Sequence, residues 1–172
     1  MTPHTPTDIS AWFAGRIPSE WTTAGAAEVI VDREEITVIL SIDAPVLDGL
    51  DEAGTAQVVD GRIAGFRDDT RDRRITAAAE AEHRFERKVA WGVRVGGTTV
   101  MFTHLAVPVM TRLRQPERIV LDTLVAAGVA RSRADALAWS VRLVGCNTDE
   151  WLSSLRTAIT DVERIRAEGP KA

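Results

Sequence analysis

The chain holds a single cysteine, Cys146, in 172 residues. No intrachain disulfide can form, and without a Cys/His cluster at ligand spacing no zinc or other metal is expected. Lysine is nearly absent: Lys88 and Lys171 are the two among 21 basic residues, the rest being arginine. No apolar run approaches the roughly 18 residues that a membrane-spanning helix needs, so no membrane partner is expected. The opening MTPHTPTDIS has neither a basic start nor an apolar core. No secretion signal is expected, therefore, and a cytoplasmic setting is the simplest account. Glycine-rich phosphate loops, GxSxG and HExxH are all missing. The sequence thus offers no catalytic residue and no cofactor, and the chain reads as a non-enzyme.

What is present is ordinary in composition and uneven in charge. With 45% hydrophobic and 27% charged residues, the chain has the make-up of a globular protein. Its length allows one good core, or a modest core with a small satellite module. The net charge of −4 is unequally spread: residues 1 to 104 carry 11 basic and 17 acidic groups, whereas residues 105 to 145 carry six arginines against three acids. A basic stretch in an acidic chain is a candidate surface for a polyanion.

The patterning predicts an N-terminal helix capped at Thr7 or Asp8, with Ile9, Trp12, Phe13 and Ile17 on one face and Pro18 at its end. AEVIV, the polar turn Asp32-Arg33-Glu34 and EITVILSI predict a β-hairpin, since Ile36, Val38, Leu40 and Ile42 alternate. Residues 43 to 61 carry Pro45, Gly49, Gly54 and Gly61 and give little signal beyond a helical turn around Val46 to Leu50. From Arg62 to Lys88, alanine and charge favour helix, with Ile75, Ala78, Ala79, Glu82 and Phe85 as its apolar stripe. Val89, Trp91, Val93 and Val95 alternate before Gly96-Gly97, and TTVMFT follows, which predicts a second hairpin. The five tryptophans are expected to anchor cores or interfaces.

In the basic stretch, Val109, Thr111 and Leu113 would face inward from a strand and Met110, Arg112 and Arg114 outward. Pro116 suits a first helical turn, Val120, Leu121, Leu124 and Val125 form a stripe, and Gly128 suits a left-handed helix end. Ser132 with Asp135 makes a capping box for the next helix. A last amphipathic helix is predicted from Asn147 or Thr148 to about Ala167, with Trp151, Leu152, Leu155, Ile159, Val162 and Ile165 on one side.

Three groups of residues carry a family resemblance: Thr111-Arg112-Leu113, Leu121-Asp122-x-Leu124-Val125-x-Ala127-Gly128-Val129, and Ser132-Arg133-Ala134-Asp135-Ala136-Leu137. With them the stretch from 109 to 144 resembles the ribbon-helix-helix family of bacterial DNA-binding proteins. The resemblance implies a homodimer whose paired ribbons enter the major groove of double-stranded DNA. Met110, Arg112 and Arg114 would then face the bases, and Arg131, Ser132 and Arg133 would surround a phosphate anchor at the second helix. The resulting expectation is an α+β chain. An N-terminal antiparallel sheet of hairpins with helices would occupy 1–104. A ribbon-helix-helix-like module and a long C-terminal amphipathic helix would occupy 105–172.

Each feature also has a plainer account. Arg112 and Arg114 can be solvated charges on an edge strand, Ser132 caps its helix whatever the function, and Arg131 and Arg133 can form surface ion pairs. The alternative function is therefore a protein-interaction or adaptor protein, in which the helical module is structural or docks a protein partner.

Overall fold

The computed structural model describes residues 4–45 and 49–169. The helical turn expected around Val46 to Leu50 falls partly on 46–48, outside the described residues. The chain divides into two compact units, Met1–Pro108 and Val109–Ala172.

In the first unit, helix α1 (Pro6–Arg16) opens on a reciprocal cap in which the Asp8 amide donates to Thr5 Oγ1 and the Thr5 amide to the Asp8 carboxylate. The cap satisfies two otherwise orphaned donors, and at Thr5 it lies two or three residues before the expected Thr7 or Asp8. After Pro18 a short 3-10 turn, Ser19–Trp21, buries Trp21. Strands β1 (Gly25–Val31) and β2 (Glu35–Ile42) form the expected antiparallel hairpin. Its turn is fixed by the Asp32 carboxylate, which accepts from the Glu34 and Glu35 amides at 2.9 and 2.7 Å. Helices α2 (Glu52–Asp69) and α3 (Arg71–Phe85) follow, and β3 (Lys88–Val95) and β4 (Thr98–Met101) make the second antiparallel hairpin.

The α+β class is as expected, but the sheet is mixed rather than antiparallel throughout. Its order is β1-β2-β3-β4, and the central pair β2–β3 runs parallel, from Glu35 beside Lys88 to Ile42 beside Val95. A parallel pair needs a long crossover, which α2 and α3 supply. The inner faces of both central strands interleave in one core: Ile36, Val38, Leu40 and Ile42 with Val89, Trp91, Val93 and Val95. Against these pack Ile9 and Phe13 of α1, Ile63 and Phe66 of α2, and Ala77, Ala81 and Phe85 of α3. Trp91 meets Phe13 and Trp21 edge to face at 6.0 and 6.3 Å, an arrangement the ring quadrupoles favour. Ile36 is fully buried here. Ile36→Val is expected to cost about 0.5–1.5 kcal/mol, read as a shift in the urea midpoint with unchanged slope.

Two helical details depart from expectation. The helix read from Arg62 to Lys88 is two helices that share Thr70 as C-cap and N-cap, and α2 begins ten residues earlier. The buried face of α3 is Arg74, Ala77, Ala81 and Phe85 rather than the stripe through Ile75, which is 54% exposed. An arginine turned inward displaces the stripe by one position.

The second unit contains α4 (Gln115–Ala126), α5 (Arg133–Asn147) and α6 (Asp149–Glu168). Gly128 ends α4 at φ +74°, where the Gly128 amide donates to the Val125 carbonyl and the Val129 amide to that of Leu124. Only a residue without Cβ takes that conformation readily. Leu121, Ala130 and Ala136 are buried, with Leu113, Leu124, Val125 and Leu137 half-buried around them. Trp139 of α5 and Leu152 of α6 are half-buried, while Val141 and Val144 of α5 lie exposed. Helix α6 buries no residue. Among the described residues no helix is long and apolar enough to cross a membrane.

Candidate nucleic-acid interface

Residues 103 to 114 belong to no helix or strand. The ribbon expected at 109–114 is therefore an unpaired segment within one copy of the chain, ending in extended backbone at Arg114 (φ −78°, ψ 173°). Its side chains nevertheless alternate in part. Met110 is 95% exposed and Arg112 and Arg114 are exposed, while Leu113 turns in toward Leu121 and Ala136. Val109 and Thr111, expected to face inward, are exposed as well. A lone strand lacks the neighbour that would cover them. Leu113 is held further by Arg118, whose Nη1 donates to its carbonyl at 2.8 Å. Among the described residues, Arg112 and Arg114 form no ion pair.

The expected phosphate anchor is built differently. Ser132 Oγ accepts from the Asp135 amide at 3.2 Å, the cap that starts α5. Asp135 reaches back to the Arg131 amide at 3.0 Å and to its Nε at 3.4 Å. Arg133 is engaged bidentately by Asp122 of α4, at 2.6 and 2.7 Å. The plain account of Arg131 and Arg133 thus describes the geometry in the free chain, and two carboxylates stand where a phosphate would sit. The backbone amides of Arg133 and Ala134 have no acceptor among the described residues. They leave part of the positive helix end available to an anion.

The hydrogen bond from Arg133, with its charge, holds the Asp122 carboxyl below the ordinary aspartate value of 3.8. A lowered folded-state pKa contributes stability above the unfolded value and loses it as pH falls through the folded one. The pair is therefore intact at neutral pH and opens only in acid. In the expected phosphate contact, an anion would have to displace Asp122 from Arg133. An exposed pair of this kind is worth under about 1 kcal/mol, so if Arg133 contacts a DNA phosphate as the resemblance implies, Asp122→Asn tightens that binding by up to about fivefold. Fluorescence anisotropy on a labelled duplex measures it. Weaker binding by this variant would remove Arg133 from the contact.

Sequence reasoning missed the Asp122–Arg133 pair because the partners are 11 residues apart on different helices. The single cysteine, Cys146, is exposed at the end of α5.

Residues 7–101 match the Rv1265-like protein N-terminal domain, and residues 114–166 match the Mb1296 C-terminal domain. The chain belongs to the Rv1265-like family. Uncharacterized protein Rv1265 of Mycobacterium tuberculosis and Uncharacterized protein Mb1296 of Mycobacterium bovis are each 60% identical to it over 159 residues, 92% of this chain and 69% of theirs. No solved structure matches it significantly. Within this Rv1265-like chain the two matched regions fall on either side of the 102–113 segment that includes Met110 and Arg112. Arg114, Arg131, Ser132 and Arg133 lie inside the second region.

Proposed function

We propose that this Rv1265-like chain is a non-enzymatic, cytoplasmic bacterial transcription regulator that binds double-stranded DNA as a homodimer through residues 109–114. The observation that carries this reading is the segment itself. It is unpaired, it projects Met110, Arg112 and Arg114 outward without ion-pair partners among the described residues, and it is tied to the helices by Leu113. A ribbon of this kind completes its hydrogen bonds only against a second copy, so an unpaired segment in one chain is what the reading requires. The half-closed helical core, with exposed Ile119, Val120, Val141 and Val144, supplies apolar surface for that pairing. The acidic N-terminal unit then serves as scaffold or sensor.

Selection of duplexes from a random pool by the full chain tests the reading. It is supported by enrichment of an inverted repeat bound with steep salt dependence, as counterion release demands. Binding with no sequence preference, or none at low salt, counts against it.

The adaptor reading has one observation of its own. Helix α6 leaves Trp151, Leu155, Ile159, Val162 and Ile165 exposed in a single stripe, a face that a protein partner would cover as well as a second copy would. A strictly monomeric chain at tens of micromolar by light scattering favours this reading.

A further inference from the structure

In the first unit β4 is shorter than β3 and pairs only with Gly92–Val95, so among the described residues the outer edge of Lys88–Trp91 has no strand beside it. The chain closes over one end of the gap, where the Phe102 and Thr103 amides both donate to the Trp91 carbonyl. What remains between this edge and α3 is a cavity of about 330 Å³, lined by Arg74, Ala78, Ala79, Val89, Trp91 and Thr103 among others.

Two side chains that line this cavity carry donors without partners. The Trp91 indole N–H is buried and has no acceptor among the described residues, and such an orphan is costly. Arg74, 6% exposed, is the second. Its Nε donates to Thr70 Oγ1 at 2.9 Å and its Nη2 to the Arg67 carbonyl at 2.6 Å. Those bonds use one edge of the guanidinium to cap the end of α2. Of its five N–H donors, both on Nη1 and one on Nη2 remain, the end-on fork that suits a carboxylate. No carboxylate of the described residues forms an ion pair with Arg74. Arg67 and Arg71 add positive charge nearby, with Asp68 opposing them. The acid that does reach the cavity wall, Glu82, is matched by Lys88 at 2.6 Å. The Phe102 ring, 4.7 Å from the Arg74 guanidinium carbon, backs the cation and fixes its plane.

We propose that this cavity binds a small organic monocarboxylate, its carboxylate held by the free fork of Arg74, its short apolar body lying against Ala78, Ala79, Val89 and the side chain of Trp91. One buried cation between apolar walls suits a single negative charge better than a phosphate dianion, which would leave charge uncompensated. The site lies within the N-terminal unit and does not depend on DNA binding by the other.

The experiment titrates the full chain, 15N-labelled at its five tryptophans, with hexanoate. The expected result is a saturable shift of one indole signal, assigned to Trp91 on the cavity wall, and a raised melting temperature. Arg74→Lys, which keeps charge but loses the fork, is expected to weaken binding about tenfold or more. Because Arg74 also caps α2, Ala79→Phe provides a second variant: it fills the cavity from an exposed helical position and is expected to abolish the shift in a chain with unchanged circular dichroism. The proposal is overturned if hexanoate leaves every indole signal in place up to its solubility limit. Equal shifts with hexanol, tighter binding of inorganic phosphate, or unimpaired hexanoate binding by Ala79→Phe would each overturn it as well.

Discussion

Replacing Arg112 and Arg114 together by alanine should lower affinity for a selected duplex by roughly thirtyfold to roughly twenty-five-thousandfold per half-site. The range follows from about 1–3 kcal/mol for each bidentate arginine contact to a base edge. Both side chains are exposed and tied to no carboxylate among the described residues, so their removal leaves nothing unpaired and the fold intact. Melting temperature and circular dichroism are expected to match the parent. The contrast with Arg133→Ala is informative. That change breaks the Asp122 pair and leaves a phosphate contact, at most, to be lost. It should weaken binding uniformly across sequences, whereas the double variant should flatten the sequence preference. If the parent binds specifically and the double variant binds equally well, the contact surface lies elsewhere and residues 109–114 are decoration.

The parts of the molecule that were legible in the sequence are those whose signals are local. Each hairpin declares itself through alternation around a turn: Ile36, Val38, Leu40 and Ile42 after Asp32, and Val89 to Val95 before Gly96-Gly97. Gly128 and Ser132 mark the α4–α5 junction because a left-handed backbone and a helix cap have narrow residue requirements. The parallel union of β2 with β3 is different in kind. It joins residues about 50 apart, and nothing in either strand states which neighbour it takes. The first half of α2 was hidden because it presents no stripe, Ile63 and Phe66 being its buried residues. The break at Thr70 was hidden for another reason. Its dihedrals, φ −99° and ψ −2°, stay near helical values and call for neither glycine nor proline. Nothing in the pattern marks Arg74 as buried, because an arginine reads as polar, yet its guanidinium lies over the Phe102 ring. The candidate site was legible as a set of residue types. Its wiring was not, since Asp122, Asp135 and the arginines compete in ways that only the placement of α4 against α5 decides.

The C-terminal helix supplies the other large expected effect. Its apolar stripe was expected to be covered by a core or an interface, and in a full core position Trp151→Ala would be strongly destabilising. Yet Trp151 is 60% exposed and no residue of α6 is buried in the single chain. Trp151→Ala should consequently leave the melting of an isolated chain nearly unchanged, and the stripe acts, if anywhere, between chains. Leu155→Asp combined with Ile159→Asp is the sharper test. Burying each of these side chains contributes about 1.5–3 kcal/mol, and a two-fold interface counts every substitution twice. The loss, about 6–12 kcal/mol before the cost of burying the aspartates, is comparable with the roughly 8 kcal/mol that holds a micromolar dimer together. The double variant should therefore run as a monomer by light scattering at tens of micromolar while its N-terminal unit melts as before. A chain that binds DNA only as a pair of ribbons should then lose specific binding as well, although Arg112 and Arg114 are untouched. Should the variant stay dimeric, pairing rests on α4 and α5 alone. Should the parent itself be monomeric and only a protein partner be lost, the stripe is a docking face and the adaptor reading replaces the regulator.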